Sequence, residues 1–134
     1  MANDTIILTV PARPEYAKTV RMTASALVSR SELSYDEVDD VRIAAEEAFV
    51  YAVDHATDSG TVSMEFDKSP DHFEIRVLLG DGDRITTEDA ERRAAYATFI
   101  LQSVCDRFEM SSDESGTRLR VVKNLPMGSD DAVS

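Results

Sequence analysis

The feature that most constrains this chain is the long segment that opens on Ser34-Tyr35-Asp36-Glu37. In this capping box, the serine hydroxyl and the glutamate carboxylate each satisfy a backbone N–H that the first turn of a helix leaves free. A helix running to about Thr57 is predicted. Val38, Val41, Ala45, Ala48 and Ala52 recur along it in steps of three and four, so they share one face. Most of that face is alanine, which lets the helix sit close against a sheet. Glu47, Tyr51 and His55 fall together on an adjoining stripe.

The rest of the chain supplies the sheet and two further helices. Residues 5–10 read as a strand with Ile6, Leu8 and Val10 on one face, stopped by Pro11. Pro14 suits the first turn of a following helix, whose stripe is Tyr16, Val20, Ala24, Leu27 and Val28 and which ends at residues 29–33. After a turn at Asp58-Ser59-Gly60, Val62, Met64 and Phe66 alternate as one strand and Phe73, Ile75, Val77 and Leu79 as another, an antiparallel hairpin joined through Lys68-Ser69-Pro70-Asp71. Gly80-Asp81-Gly82-Asp83 breaks the second strand.

Residues 86–107 read as a third helix with Ala90, Ala94, Ala97, Leu101, Val104 and Phe108 on one face, and with Glu88, Asp89 and Glu91 at its positive end. Residues 109–111 and 117–123 form a closing hairpin around Asp113-Glu114-Ser115-Gly116, with Leu119 and Val121 inward. Residues 127–134 read as a frayed tail. The predicted class is α+β: a two-layer sandwich with its helices packed on one face of a mainly antiparallel sheet, in a single domain over residues 1–126.

With 134 residues there is room for one core and one site. Lys plus Arg total 14 against 26 Asp plus Glu, a net charge of −12, which argues against a nucleic-acid backbone as partner. A basic protein surface fits that charge, and so does a plain role in solubility. The single cysteine, Cys105, excludes an internal disulfide and a Cys/His metal cluster, so no metal is expected and a reducing cytoplasm fits. No apolar run approaches the roughly 18 residues of a membrane span. His55 and His72 have no ligand pair in sequence, Cys105 sits in a helix pattern and packs, and Arg92-Arg93 reads as a solvated helix face or part of a protein-contact surface.

Residues 39–56 resemble the N-box helix of the GHKL (histidine kinase-like) ATPases, in the form found in bacterial anti-sigma factor serine kinases. The likeness is carried by the Glu-Ala-x-x-x-Ala-x-x-His spacing of Glu47 to His55 and by the Val10-Pro11-Ala12-Arg13-Pro14-Glu15-Tyr16 opening, and the element order is that of the GHKL fold. The resemblance implies that Glu47 matches the general base acting on the hydroxyl that attacks ATP. A solvent-exposed helix glutamate is the alternative.

Three family positions depart from the pattern. The magnesium-binding Asn falls on Tyr51, whose phenol is a poor ligand for a hard cation and more naturally fills space. The adenine-binding Asp falls on Leu79 without gaps, on Gly80 with a shift of one (keeping Gly82 only), or on Asp81 with a shift of two. The last register sets Asp83 and Ile85 where glycines belong, so no register satisfies the motif. The phosphate-binding Gly-x-Gly falls on Ala95, Tyr96 and Ala97, within a helix pattern whose N–H groups are already bonded.

These departures leave three readings. The favoured one is an anti-sigma-factor-like regulator working by protein binding, with ATP binding lost or weak and no cofactor. The resemblance implies a sigma factor and a STAS-type anti-anti-sigma protein as its partners and leaves a homodimer open. The second is an active serine kinase of an anti-anti-sigma factor, using ATP and Mg2+, with Glu47 as base and Asp81 on adenine. The third is a structural or small-ligand-sensing module that reuses the old nucleotide pocket, with Tyr51 and Tyr96 near the cavity.

Overall fold

A computed structural model of the chain describes residues 4–29, 33–55, 60–79, 87–113 and 116–125. The expected turn at residues 58–59, the Gly80-Asp81-Gly82 segment and the tail at 127–134 lie outside the described residues.

The elements follow the apolar patterns. β1 (Asp4–Pro11) leads through a single 3-10 turn at Pro14–Tyr16 into α1 (Ala17–Val28), which buries Val20, Ala24 and Val28. α2 (Tyr35–Asp54) starts on the expected capping box, with Ser34 Oγ accepting from the Glu37 N–H at 3.1 Å and Glu37 Oε1 accepting from the Ser34 N–H at 2.9 Å. Its buried face is wider than the predicted stripe, since Ala44 and Phe49 join Val41, Ala45, Ala48 and Ala52. Phe49 is fully buried, and burying a ring of that size is worth roughly 1.5–3 kcal/mol.

β2 (Thr61–Lys68) and β3 (His72–Leu78) form the hairpin, with Phe66 and Phe73 stacked across it at 5.9 Å between ring centroids. Such diagonal neighbours on one face tie the two strands together.

α3 spans Glu88–Val104, with Thr87 as its N-cap accepting from the Ala90 N–H at 3.0 Å. The helix stops earlier than predicted. Cys105 is already extended (φ −109°, ψ 151°), and Phe108, expected on the helix face, belongs to β4 (Arg107–Asp113). β5 (Gly116–Asn124) closes the sheet.

The strand order is β1-β2-β3-β5-β4, antiparallel at every described pairing. Val62, Met64, Phe66, Phe73, Ile75, Val77, Leu119 and Val121 alternate inward beneath the helices. α2 lies in the middle of the helix layer, flanked by α1 and α3, and packs on β2, β3 and β5. Its alanines make that central position possible, because small side chains bring a helix axis close to the pleat. No described helix is long and apolar enough to cross a membrane.

On the open face of the sheet the outward residues form a charged ladder. Thr5 on β1 donates to Asp67 on β2, and Arg76 on β3 reaches Glu65 and Asp67 on β2 as well as Glu74 on its own strand. Arg120 on β5 joins Glu74 to Glu109 on β4 at 2.8 and 2.9 Å. All five strands are thereby cross-linked on one face. Glu74 is only 7% exposed. Burial alone would push its carboxyl up, but the hydrogen bonds from Arg120 and Arg76 outweigh that and hold it below the ordinary glutamate value.

Candidate functional site

Because Glu47, Val50 and Asp54 follow one another at helical spacing on α2, they form a ridge opposite the first half of α3. Between the two helices lies a groove of about 510 Å³, lined by Glu47, Val50, Asp89, Arg92, Arg93 and Tyr96. Arg93 fastens α3 to the end of α2 through a two-pronged pair with Asp54, Nε to Oδ2 and Nη2 to Oδ1, both at 2.9 Å. Arg92 pairs with Asp89 one turn back at 2.8 Å. On the other flank of α2, Arg21 of α1 holds Glu46 at 2.8 Å.

Glu47 is half-buried and faces this groove. Burial first, and the neighbouring Glu46 second, push its carboxyl above the ordinary value of 4.5. Such a shift favours a carboxylate that takes up protons.

Tyr51 turns away from the groove. Its ring stacks on His55 at 4.3 Å and 9° between planes, and its hydroxyl donates to Met110 Sδ on β4 at 3.5 Å. Burial also raises the phenol further above 10.0, which makes its ionised, metal-binding form still less accessible. His55 caps α2 and shares a contact between its Nδ1 and the Tyr51 carbonyl at 2.8 Å.

The remaining sequence candidates scatter. Leu79 is buried at 6% exposure, its N–H bonded to the Thr117 carbonyl, so it belongs to the core. Ala95 and Ala97 lie well inside α3, the first exposed and the second fully buried, with Tyr96 between them on the groove side. Gly80, Asp81 and Gly82 lie outside the described residues.

Of the positions that the resemblance assigns to a magnesium nucleotide, Tyr51, Leu79, Ala95, Tyr96 and Ala97 lie among the described residues. Tyr51 offers a phenol hydrogen-bonded to a thioether, Leu79, which is one of the three registers for the adenine acid, offers a buried apolar side chain, and the N–H groups of Ala95 and Ala97 belong to a helix interior. Among the described residues no three His, Cys, Asp or Glu side chains cluster as a metal site.

Two other groups of reactive side chains do structural work. Ser69, Asp71 and His72 bond one another within the β2–β3 turn, the Ser69 hydroxyl meeting Asp71 at 2.9 Å and His72 Nδ1 at 2.8 Å. Cys105 sits at the end of α3, where burial pushes its thiol up to about 12, leaving negligible thiolate at neutral pH.

The sequence reading missed Asp54 as the anchor of α3, and Val50 and Asp89 as groove walls. Asp54 carried a usable signal, since it stands seven residues after Glu47 and so on the same side of the helix.

Comparisons with known proteins bear on the same region. The profile of the Histidine kinase-like ATPase domain matches residues 10–123. The chain is 32% identical over 137 residues to serine-protein kinase RsbW of Halalkalibacterium halodurans, covering 91% of this chain and 84% of that protein. It is 36% identical over 129 residues to serine-protein kinase RsbW of Listeria monocytogenes, covering 84% and 82%. Among solved structures, the fold is similar to that of the RsbU and RsbW domains of Rv1364c from Mycobacterium tuberculosis, with a TM-score of 0.69 at 13% identity. That match spans 91% of this chain and 32% of the longer one, and the likeness is one of fold.

Proposed function

The chain belongs to the histidine kinase-like ATPase domain family, alongside the RsbW serine-protein kinases, and from that premise we propose that it is an anti-sigma-factor-like regulator that works by binding protein partners, with nucleotide binding lost or weak. The observation that carries this reading is the unbroken course of α3 through Ala95, Tyr96 and Ala97. A phosphate-binding loop needs free N–H groups, and a helix interior has none to offer. The turning of Tyr51 onto His55 and Met110 supports it, because a neutral phenol held there by a thioether is a poor ligand for magnesium. The partners in this reading are a sigma factor and a STAS-type anti-anti-sigma protein, and the acidic surface suits a basic sigma region.

Titration of the purified protein with ATP and ADP, with and without magnesium, tests it by calorimetry and thermal melting. A ligand at 100 times its dissociation constant stabilises by about 2.7 kcal/mol, so absence of heat and of any melting shift is the expected outcome. A purified STAS-domain protein or sigma factor should still form a complex with the nucleotide-free chain.

A second reading, ATP-dependent serine phosphorylation of the STAS partner with Glu47 as base, has one observation in its favour, the raised carboxyl of Glu47 facing the groove. Transfer of labelled phosphate to the STAS protein, abolished by Glu47→Gln, would replace the first reading with this one.

A further inference from the structure

Glu47 differs from three acids near it on α2 and α3, of which Asp89 also lines the groove. Glu46 is held by Arg21, Asp54 by Arg93 and Asp89 by Arg92, at 2.8, 2.9 and 2.8 Å. Glu47 alone of the four has no hydrogen-bond or ion-pair partner among the described residues. It is a half-buried carboxylate on the wall of an open groove, beside the apolar side chain of Val50 and the ring of Tyr96, which is 62% exposed. Burial has stripped part of its hydration with no counter-ion among the described residues, so an arriving cation gains more here than at a fully solvated acid. The two arginines on the rim do not repel such a cation strongly, because each is already neutralised by its own acid.

We infer that this groove is the docking site for an arginine side chain of a protein partner, with Glu47 as its counter-ion and the Tyr96 ring as the platform for the guanidinium plane. Arginine fits better than lysine, since a planar guanidinium stacks on an aromatic ring while its edge donates to a carboxylate. Val50 gives the methylene stem an apolar wall. The net charge of −12 steers a basic partner toward the protein as a whole, and the groove then selects where it docks. This inference rests on the protein-binding reading above and specifies the chemistry of one contact within it.

The test uses N-acetyl-arginine methylamide as probe and its neutral citrulline counterpart as control, followed by amide and side-chain NMR shifts. The arginine probe should give saturable shifts centred on Glu47, Val50 and Tyr96, with the citrulline compound at least fivefold weaker. Glu47→Gln, which keeps shape and fold, should weaken the arginine probe at least fivefold, and Tyr96→Ala about twofold. Equal binding of citrulline, shifts spread over the whole acidic surface, or binding unchanged in Glu47→Gln would overturn the inference.

A second arm separates it from the function itself, using purified STAS-domain and sigma proteins. Capture by the wild type and loss of capture by Glu47→Gln supports the inference. Equal capture by both overturns the docking site and leaves the regulator reading intact. If the wild type captures neither protein while the arginine probe behaves as expected, the regulator reading falls and the groove stands.

Discussion

Glu74 and Glu47 are the same residue in two environments, and their carboxyls move in opposite directions. Glu74 on the open face of the sheet is the more deeply buried, yet its carboxyl lies below the ordinary value, because two arginines donate to it. Glu47 on α2 keeps more solvent and still lies above it, because burial and then the neighbouring Glu46 raise it with no cation among the described residues to offset them. Burial raises both acids, and the sign of the net shift is set by whether donors answer it. The sheet face is electrostatically closed, with its acids answered by arginines on the next strand. The helix groove is electrostatically open at one carboxylate.

The largest test of that contrast is Arg76→Met. It takes the arginine from Glu65 and leaves Asp67 with Thr5 and Glu74 with Arg120 alone, and urea denaturation should report a loss of about 2–4 kcal/mol. Adding Glu74→Gln to that variant should recover part of the loss, which a merely steric effect of methionine would not allow.

Glu74→Gln alone should cost about 1–2 kcal/mol at neutral pH, since Arg76 and Arg120 each keep another acid. Its pH dependence has a defined sign. The folded value is depressed, so the stabilisation is present above the ordinary 4.5 and is lost as pH falls through the folded value. In Glu74→Gln that acid-side loss should shrink.

Arg93→Ala removes the pin between α3 and Asp54 at an exposed site, and hydrogen exchange in the first turns of α3 should quicken by about twofold to fivefold with the sheet unaffected.

The smallest effect is expected at Glu47, and it has the opposite sign. Its raised folded value means that it contributes stability below 4.5 that is lost as pH rises through the folded value. Glu47→Gln should therefore stabilise slightly at pH 7, by no more than about 0.5 kcal/mol after allowance for solvent screening. A loss of stability in that variant would break the comparison.

The local elements were legible wherever a single physical cause acted. The capping box fixed the start of α2, since its two hydrogen bonds involve only residues 34 and 37. The alternation of Val62, Met64 and Phe66 marked β2, because one face of that strand is buried and the other wet. The end of α3 was misread because Phe108 stands four residues after Val104 and so mimics one more turn of the stripe. It is in fact an inward residue of the next strand, paired with Val121, and no glycine or proline marks the change.

What lay beyond the sequence was long-range. The pairing of Arg76 with Arg120 on neighbouring strands looks unfavourable until Glu74 is seen between them. Nor does local pattern reveal that Asp54 waits for Arg93, 39 residues away. At the candidate site, the stripe of Glu47, Tyr51 and His55 was visible from spacing. The direction Tyr51 takes from it depends on Met110, on a strand that the helix meets only after folding.

The alanine face of α2 carries an evolutionary consequence. Ala44, Ala45, Ala48 and Ala52 are all at most 3% exposed, so enlarging a side chain on this packed face costs about 1–3 kcal/mol, against a total stability of about 5–15 kcal/mol for a domain. Drift along this helix is therefore confined to its outward positions. Those positions include Glu47 and Val50 on the wall of the groove, where a change leaves the packed face intact. A lineage can thus change the groove wall of this helix at little structural risk, and descendants of one scaffold can differ there while remaining superimposable.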